Sequence, residues 1–155
     1  VRVSGGFSLP NGSRTRAFTT SDNKAHFTVN NLPKENIKEG NFIMMTIRTH
    51  DQYNTTIYGM DDRYRGISNE RRVILMNPSD MQKKGYKQEQ VVHLTSHFNG
   101  EERKANNFKI VSYNIPEGCI ASYFPETNVL VPLNNVAKTS NTPASKFVEV
   151  SISIS

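Results

Sequence analysis

The stretch "MMTIRTHDQYNTTIYG", Met44 to Gly59, opens as a strand and runs on into a polar segment in which no Gly or Pro falls before Gly59. A surface loop of that length is normally punctuated by turn formers. From Arg48 onward it offers a guanidinium, an imidazole, amides and hydroxyls, a set suited to holding a polar partner rather than to breaking a bond. By itself Arg48 would read as one half of a surface salt bridge. Other chemistries find less support. His93 and His97 are four apart, but "VVHLTSHF" reads as a strand that places them on one face, with no Cys or carboxylate pattern nearby to complete a metal site. The aromatics and Lys of "NNFKIVSYN" could serve a nucleic-acid-binding sheet, yet such residues are more often packing, and no nucleic-acid partner is expected. Cys119 is the only cysteine, so there is no disulfide framework and no CxxC pair; it reads as a small buried residue, since no activating His adjoins it. GxGxxG, GxxxxGK and GxSxG are all absent.

The elements that must position this run are short strands. The chain has 155 residues, enough for one domain with a core, and 35% apolar content arranged in short runs. Lys and Arg number 19 against 14 for Asp and Glu, a net charge of +5 that fits phosphates, nucleic acid or an acidic partner equally. With one cysteine and no apolar segment long enough for a signal or a membrane span, a cytoplasmic setting is expected; the sequons at Asn11 and Asn54 are then chance matches. The chain begins at Val1, not Met, and is expected to be a fragment. "KAHFTVN" predicts an edge strand, "NFIMMTIR" and "RVILMN" two central strands. "EQVVHLTSHF" and "NFKIVSYNI" flank a turn at Asn99–Gly100, and "CIASYF", "NVLVPL" and "KFVEVSISIS" complete the series. "GMDDRYRGISNERR" predicts a long charged loop, loose between Asp61 and Asn69. In "NPSDMQKKGY" the N-cap Asn77, Pro78 at the first helical position, Asp80 in the first turn, Lys83 and Lys84 in the last and Gly85 as the stop predict a helix over Pro78–Lys84. Six to eight strands with one or two short helices predict a mainly β fold, a compact barrel with a helical crossover.

Several of these pieces, in order, resemble one family. "GGF…RAFTTSDNKAHF…LP", "MMTIRTHDQYNTT", "VILMNPSDMQKKGY", "YFPETNVL" and "NTPASKFVEVSIS" are similar to the C-terminal molybdopterin-dinucleotide-binding domain of formate-dehydrogenase-like enzymes in the dimethyl-sulfoxide-reductase family. The resemblance runs from about Gly5 to Ile154. It implies a double-psi β-barrel (the aspartate-decarboxylase-like fold) over residues 41–155, with a leader segment at 1–40. It also implies a role in binding molybdenum bis(molybdopterin guanine dinucleotide), with the upstream domains of a parent enzyme as partners. Any protein ligand to the metal and any iron–sulfur ligands would lie upstream, so this fragment alone is expected to be inactive. By the same resemblance Arg48 would grip phosphate or a carbonyl edge, and Thr46, Gln52, Tyr53, Asn54, Thr55 and Thr56 would bond the remaining polar edges. Asn77 and Asp80 would add a helix N-terminus, and Asn128 and Lys146 would belong to the closing loop and last strand. Some relatives place a His four residues beyond the Arg; here that position is Gln52, and His50 stands two beyond, so amides replace the imidazole. The alternative is a stand-alone double-psi barrel that binds a protein or small-molecule partner. A self-processing decarboxylase would need a Gly–Ser cleavage pair, and Gly12–Ser13 is one, but it lies in the leader.

Overall fold

The computed structural model describes residues 3–32, 36–52 and 59–155, and the chain divides into two units, Val1–Glu35 and Asn36–Ser155. In the first unit one helical turn, α1 (Gly12–Thr15), is capped by the Asn11 side chain. "KAHFTVN" is not a strand. Its alternation is present, but no ladder partner faces it within this unit among the described residues, and Phe27 and Val29 are left 99% and 94% exposed.

The second unit contains β1 (Phe42–Ile47), β2 (Val73–Met76), α2 (Pro78–Lys84), β3 (Val91–Phe98), β4 (Glu101–Ser112), β5 (Cys119–Tyr123), a 3₁₀ turn (Asn128–Leu130) and β6 (Val148–Ile154). The strands close into a six-stranded barrel in the order β1-β5-β2-β4-β3-β6. β1 pairs parallel with β5 and β2 parallel with β4, while the other four pairings are antiparallel. This is the mainly β, double-psi type of barrel, closed so that every strand has a hydrogen-bonded neighbour on each side.

Alternation along β1 sends Phe42, Met44 and Thr46 inward. Phe42 and Met44 join Ile74, Met76, Leu94, Phe108, Ile110, Ile120 and Val150 in the barrel core. β2 is buried on both faces: Val73 and Leu75 turn outward with Ala121 and Tyr123 to form a second cluster, covered by Ile67. Ile67 and local hydrogen bonds tie the 61–69 segment to this cluster. Asp62 and Ile67 exchange backbone hydrogen bonds at 2.8 and 3.1 Å, and Asp61 accepts from the Ser68 hydroxyl and the Asn69 amide at 2.9 and 2.7 Å.

Local signals set the helix as expected. Asn77 Oδ1 accepts from the Ser79 amide at 2.7 Å, and Gly85 ends α2 at φ 70°. Asn77 also donates to the Ile115 carbonyl at 2.6 Å, and Asp80 accepts from the Gly118 amide at 2.7 Å. Both side chains thus fasten the β4–β5 connection to the helix start. Asn77→Ala removes a cap and a tertiary bond together and should lower the unfolding free energy by about 1 kcal/mol. An unchanged urea midpoint would refute the cap's contribution.

Within the second unit, two predicted strands differ from expectation. β4 starts at Glu101, six residues before the apolar pattern, because the pairing shifts register between Val92 and Leu94. Asn107 sits there at φ 61°, and Ala105 and Phe108 both point inward, three residues apart; such a bulge breaks the period-two signal. "NVLVPL" packs as a 3₁₀ turn instead of a strand, burying Leu130 and Val131.

Candidate functional site

The register decides which sequence-nominated residues can meet. β1 and β5 run parallel, with Ile47 opposite Tyr123, and β6 enters antiparallel beside β1. The C-terminal ends of β1 and β5 and the approach to β6 therefore share one end of the barrel. There Thr46, Arg48, Phe124, Asn128, Thr142, Pro143, Ser145 and Lys146 line a cleft of about 260 Å³. Four of the nominated residues, Thr46, Arg48, Asn128 and Lys146, are thus brought together.

Backbone bonds fix each wall. The Thr46 amide donates to the Ser145 carbonyl at 2.9 Å, and Lys146 Nζ donates to the Thr46 carbonyl, extending the β1–β6 pairing past the strand ends. The Phe124 amide donates to the Ile47 carbonyl at 2.8 Å, and the Arg48 guanidinium lies 5.7 Å from the Phe124 ring centroid. The Thr127 hydroxyl and amide both donate to the Tyr123 carbonyl, at 3.0 and 3.2 Å, which sets the 3₁₀ turn that presents Asn128.

Electrostatically the cleft holds two cations and, among the described residues, no counter-charge: no described Asp or Glu lines it, and no ion pair among the described residues uses Arg48 or Lys146. Arg48 is therefore not half of a surface salt bridge among these residues. Burial, and after it the nearby Arg48 charge, pushes the Lys146 ammonium below its ordinary pKa. Two cations held close at the end of a cleft of neutral donors form an arrangement that a bound anion relieves. A smaller hollow of about 130 Å³ near Glu70 and Lys109 lacks this feature, because those two charges pair with each other at 3.1 Å.

The family profile described as "Molydopterin dinucleotide binding domain" matches residues 42–150, a span that contains every residue lining the cleft. The chain belongs to this family. An uncharacterized oxidoreductase of Mycobacterium tuberculosis is 47% identical over 156 residues, covering 97% of this chain and 20% of the relative. The protein YdeP of Escherichia coli K12 is 35% identical over 158 residues, covering 98% of this chain and 21% of the relative. The chain therefore spans about one fifth of the length of these relatives. Among solved structures, acetylene hydratase from Pelobacter acetylenicus aligns over 74% of this chain and 18% of its own, with a TM-score of 0.49 and 13% identity.

The other nominations of the molybdopterin dinucleotide-binding reading fall elsewhere. Tyr53, Asn54, Thr55 and Thr56 lie outside the described residues. Gln52 is buried, and its Oε1 accepts from Arg71 at 3.0 Å. Asn77 and Asp80 stand at the opposite end of the barrel, because β2 runs antiparallel to β5 and Met76 lies opposite Ile120, near the start of that strand. Their side-chain oxygens are engaged within the fold. His97 bonds Ser151 at 2.8 Å and approaches Glu102 at 3.2 Å, while His93 accepts from the Asn107 amide. Among the described residues no three His, Cys, Asp or Glu side chains gather as metal ligands, and no helix is long and apolar enough to cross a membrane. Cys119 is half-buried at the head of β5.

Phe124, Thr142 and Ser145 were not nominated from the sequence, although Thr142 and Ser145 flank Pro143 and Ala144 in the "NTPASK" stretch that includes Lys146. Beneath the cleft, Asp62 accepts from the Tyr123 hydroxyl at 2.8 Å and from Arg65 Nη1 at 2.5 Å, and the same Arg65 nitrogen donates to the Arg48 carbonyl at 3.2 Å. Burial opposes ionisation of Asp62, but the bonds from Arg65 and Tyr123 outweigh it and hold the carboxyl below its ordinary value. Burial, followed by the Asp62 bond, pushes the Tyr123 phenol well up. A depressed carboxylate contributes stability that is present above its unfolded pKa, about 4, and is lost as pH falls through the folded value. The urea midpoint should therefore drop as pH falls below about 4. Asp62→Asn should flatten that slope by up to one proton; an equally steep slope in the variant would show that other carboxylates carry it.

Proposed function

We propose that this chain is the cofactor-gripping domain of a molybdenum- or tungsten-dependent oxidoreductase of the formate-dehydrogenase-like branch. In this reading it binds a bis(molybdopterin guanine dinucleotide) in the cytoplasm, with the remaining four fifths of the parent chain as its partner. The observation that carries the reading is the Arg48–Lys146 cation pair, without an ion-pair partner among the described residues, at the end of a cleft whose other described lining residues are uncharged.

The donor set fits such a group. Arg48 presents a planar fork and Lys146 a compact ammonium to pyrophosphate oxygens. Asn128, Thr142 and Ser145 offer amide and hydroxyl groups to ribose and to amide-like ring edges. When bound, the metal–pterin group supplies the two-electron chemistry. This chain's residues bind and orient it, and no Asp, Glu or His is among the described residues lining the cleft. The test is to purify the full-length parent, extract its cofactor, cleave the pyrophosphate and identify the released nucleotide and the metal. Guanosine monophosphate at two per molybdenum or tungsten atom is the expected result. Absence of pterin from a folded, metal-replete preparation would end the reading, and a different base would correct its guanine part.

A further inference from the structure

Arg71 stands two residues before β2 at 2% exposure, and acceptors from separate segments surround its guanidinium. Nε donates to Glu126 at 2.9 Å, Nη1 to the Gly59 carbonyl at 2.9 Å, and Nη2 to Gln52 Oε1 at 3.0 Å and the Phe124 carbonyl at 3.1 Å. Its Cζ lies 4.9 Å from the Tyr123 ring centroid, and the Glu126 side chain is 8% exposed. A buried ion pair adds little net stability over apolar side chains of the same volume, because two charges have left water. The barrel's closure already has Val73, Leu75, Ala121 and Tyr123 packed at this place. What the pair supplies is geometry. The carbonyl that Arg71 grips belongs to Phe124, whose amide is tied to Ile47 and whose ring lies beneath Arg48.

We infer that Arg71 is a positioning residue for the cleft: through Phe124 and the turn carrying Glu126 it fixes the surface on which the Arg48 guanidinium rests. Arg71 does not itself line the cleft. The inference rests on the proposed reading of that cleft as a dinucleotide site, since only there does the aim of Arg48 matter. A preorganised cation needs a supporting residue whose own rotamer is locked, and among the described residues four guanidinium hydrogen bonds lock this one. A lysine would keep the charge opposite Glu126 but could not reach Phe124, Gln52 and Gly59 together.

The test uses the full-length parent in four forms: unaltered, Arg71→Lys, Arg48→Ala and the double variant. Pterin retained per protein after prolonged dialysis is measured in each, together with amide exchange across residues 124–128 in cofactor-free protein. Arg71→Lys should cut retention roughly five- to tenfold. In the Arg48→Ala background the same change should cost less than about twofold, because the group it aims is gone. Exchange across 124–128 should accelerate while that of β3 and the facing half of β4 stays constant. Equal losses in both backgrounds would assign Arg71 to stability alone, and unchanged exchange at 124–128 would show that it does not hold that turn; either result overturns the inference. If Arg71→Lys does not fold, Glu126→Gln, which leaves a neutral acceptor for Nε, goes through the same two backgrounds with the same criteria. Retention that survives Arg48→Ala alone instead overturns the reading of the cleft, and the exchange measurement then decides the Arg71–Phe124 link separately.

Discussion

Phe108→Ala should lower the unfolding free energy by about 3–5 kcal/mol. The ring is fully buried inside the barrel on β4, opposite Val92 of β3. Its surroundings include Ile110, Ile74 and Leu94 of the barrel core, and the Arg72 guanidinium lies 5.4 Å from its centroid. Phe108 also sits just after the bulge at Asn106 and Asn107, where the register of β4 changes. A closed barrel cannot collapse onto the vacated volume without shifting strands that are paired on both sides, so the cavity persists and adds to the lost transfer energy. Phe108→Leu keeps most of the volume and should cost less than half as much. Urea unfolding followed by circular dichroism measures both, and a loss below about 1.5 kcal/mol for the alanine variant would mean that the barrel relaxes around the gap.

What was legible in the sequence follows the range of the interactions. The helix over Pro78–Lys84 was readable to the residue because cap, first-turn proline, charges and terminal glycine all lie within ten positions. β1 and β2 announced themselves by alternation and by a fully apolar run. The first half of β4 did not, since the bulge moved its inward residues out of phase. "KAHFTVN" shows the reverse failure: its alternation satisfies the pattern, but a strand also needs a neighbour. For the site, Thr46, Arg48, Asn128 and Lys146 were named and do meet. Asn77 and Asp80 were drawn in by the chemistry of a helix start. Which end of the barrel that start occupies depends on β2 running antiparallel to β5, a pairing no local pattern encodes. Gln52 has the right chemistry for a ligand, but its buried oxygen serves Arg71, a residue that gave no signal beyond an arginine before an apolar strand.

Arg48→Ala in the full-length protein should weaken cofactor retention by the worth of one charge-assisted contact, about 1.5–3 kcal/mol, or roughly 10- to 150-fold in affinity. Arg48 extends from the end of β1, where the Phe124–Ile47 and Thr46–Ser145 backbone bonds hold the scaffold still, so little entropy is lost in aiming it. Arg48→Lys keeps the charge but not the planar fork and should fall between the two. Lys146→Met should also weaken retention, by less, since part of its present electrostatic cost is repulsion from Arg48 that disappears with it. The fold should survive all three changes. Arg48 is exposed and makes no ion pair among the described residues, and Lys146 gives up one bond to a strand-end carbonyl. Metal and pterin content per purified protein is the readout, with circular dichroism as the control. Full cofactor content in a well-folded Arg48→Ala protein would show that the cation pair is ordinary surface and that the dinucleotide is held somewhere else on the barrel.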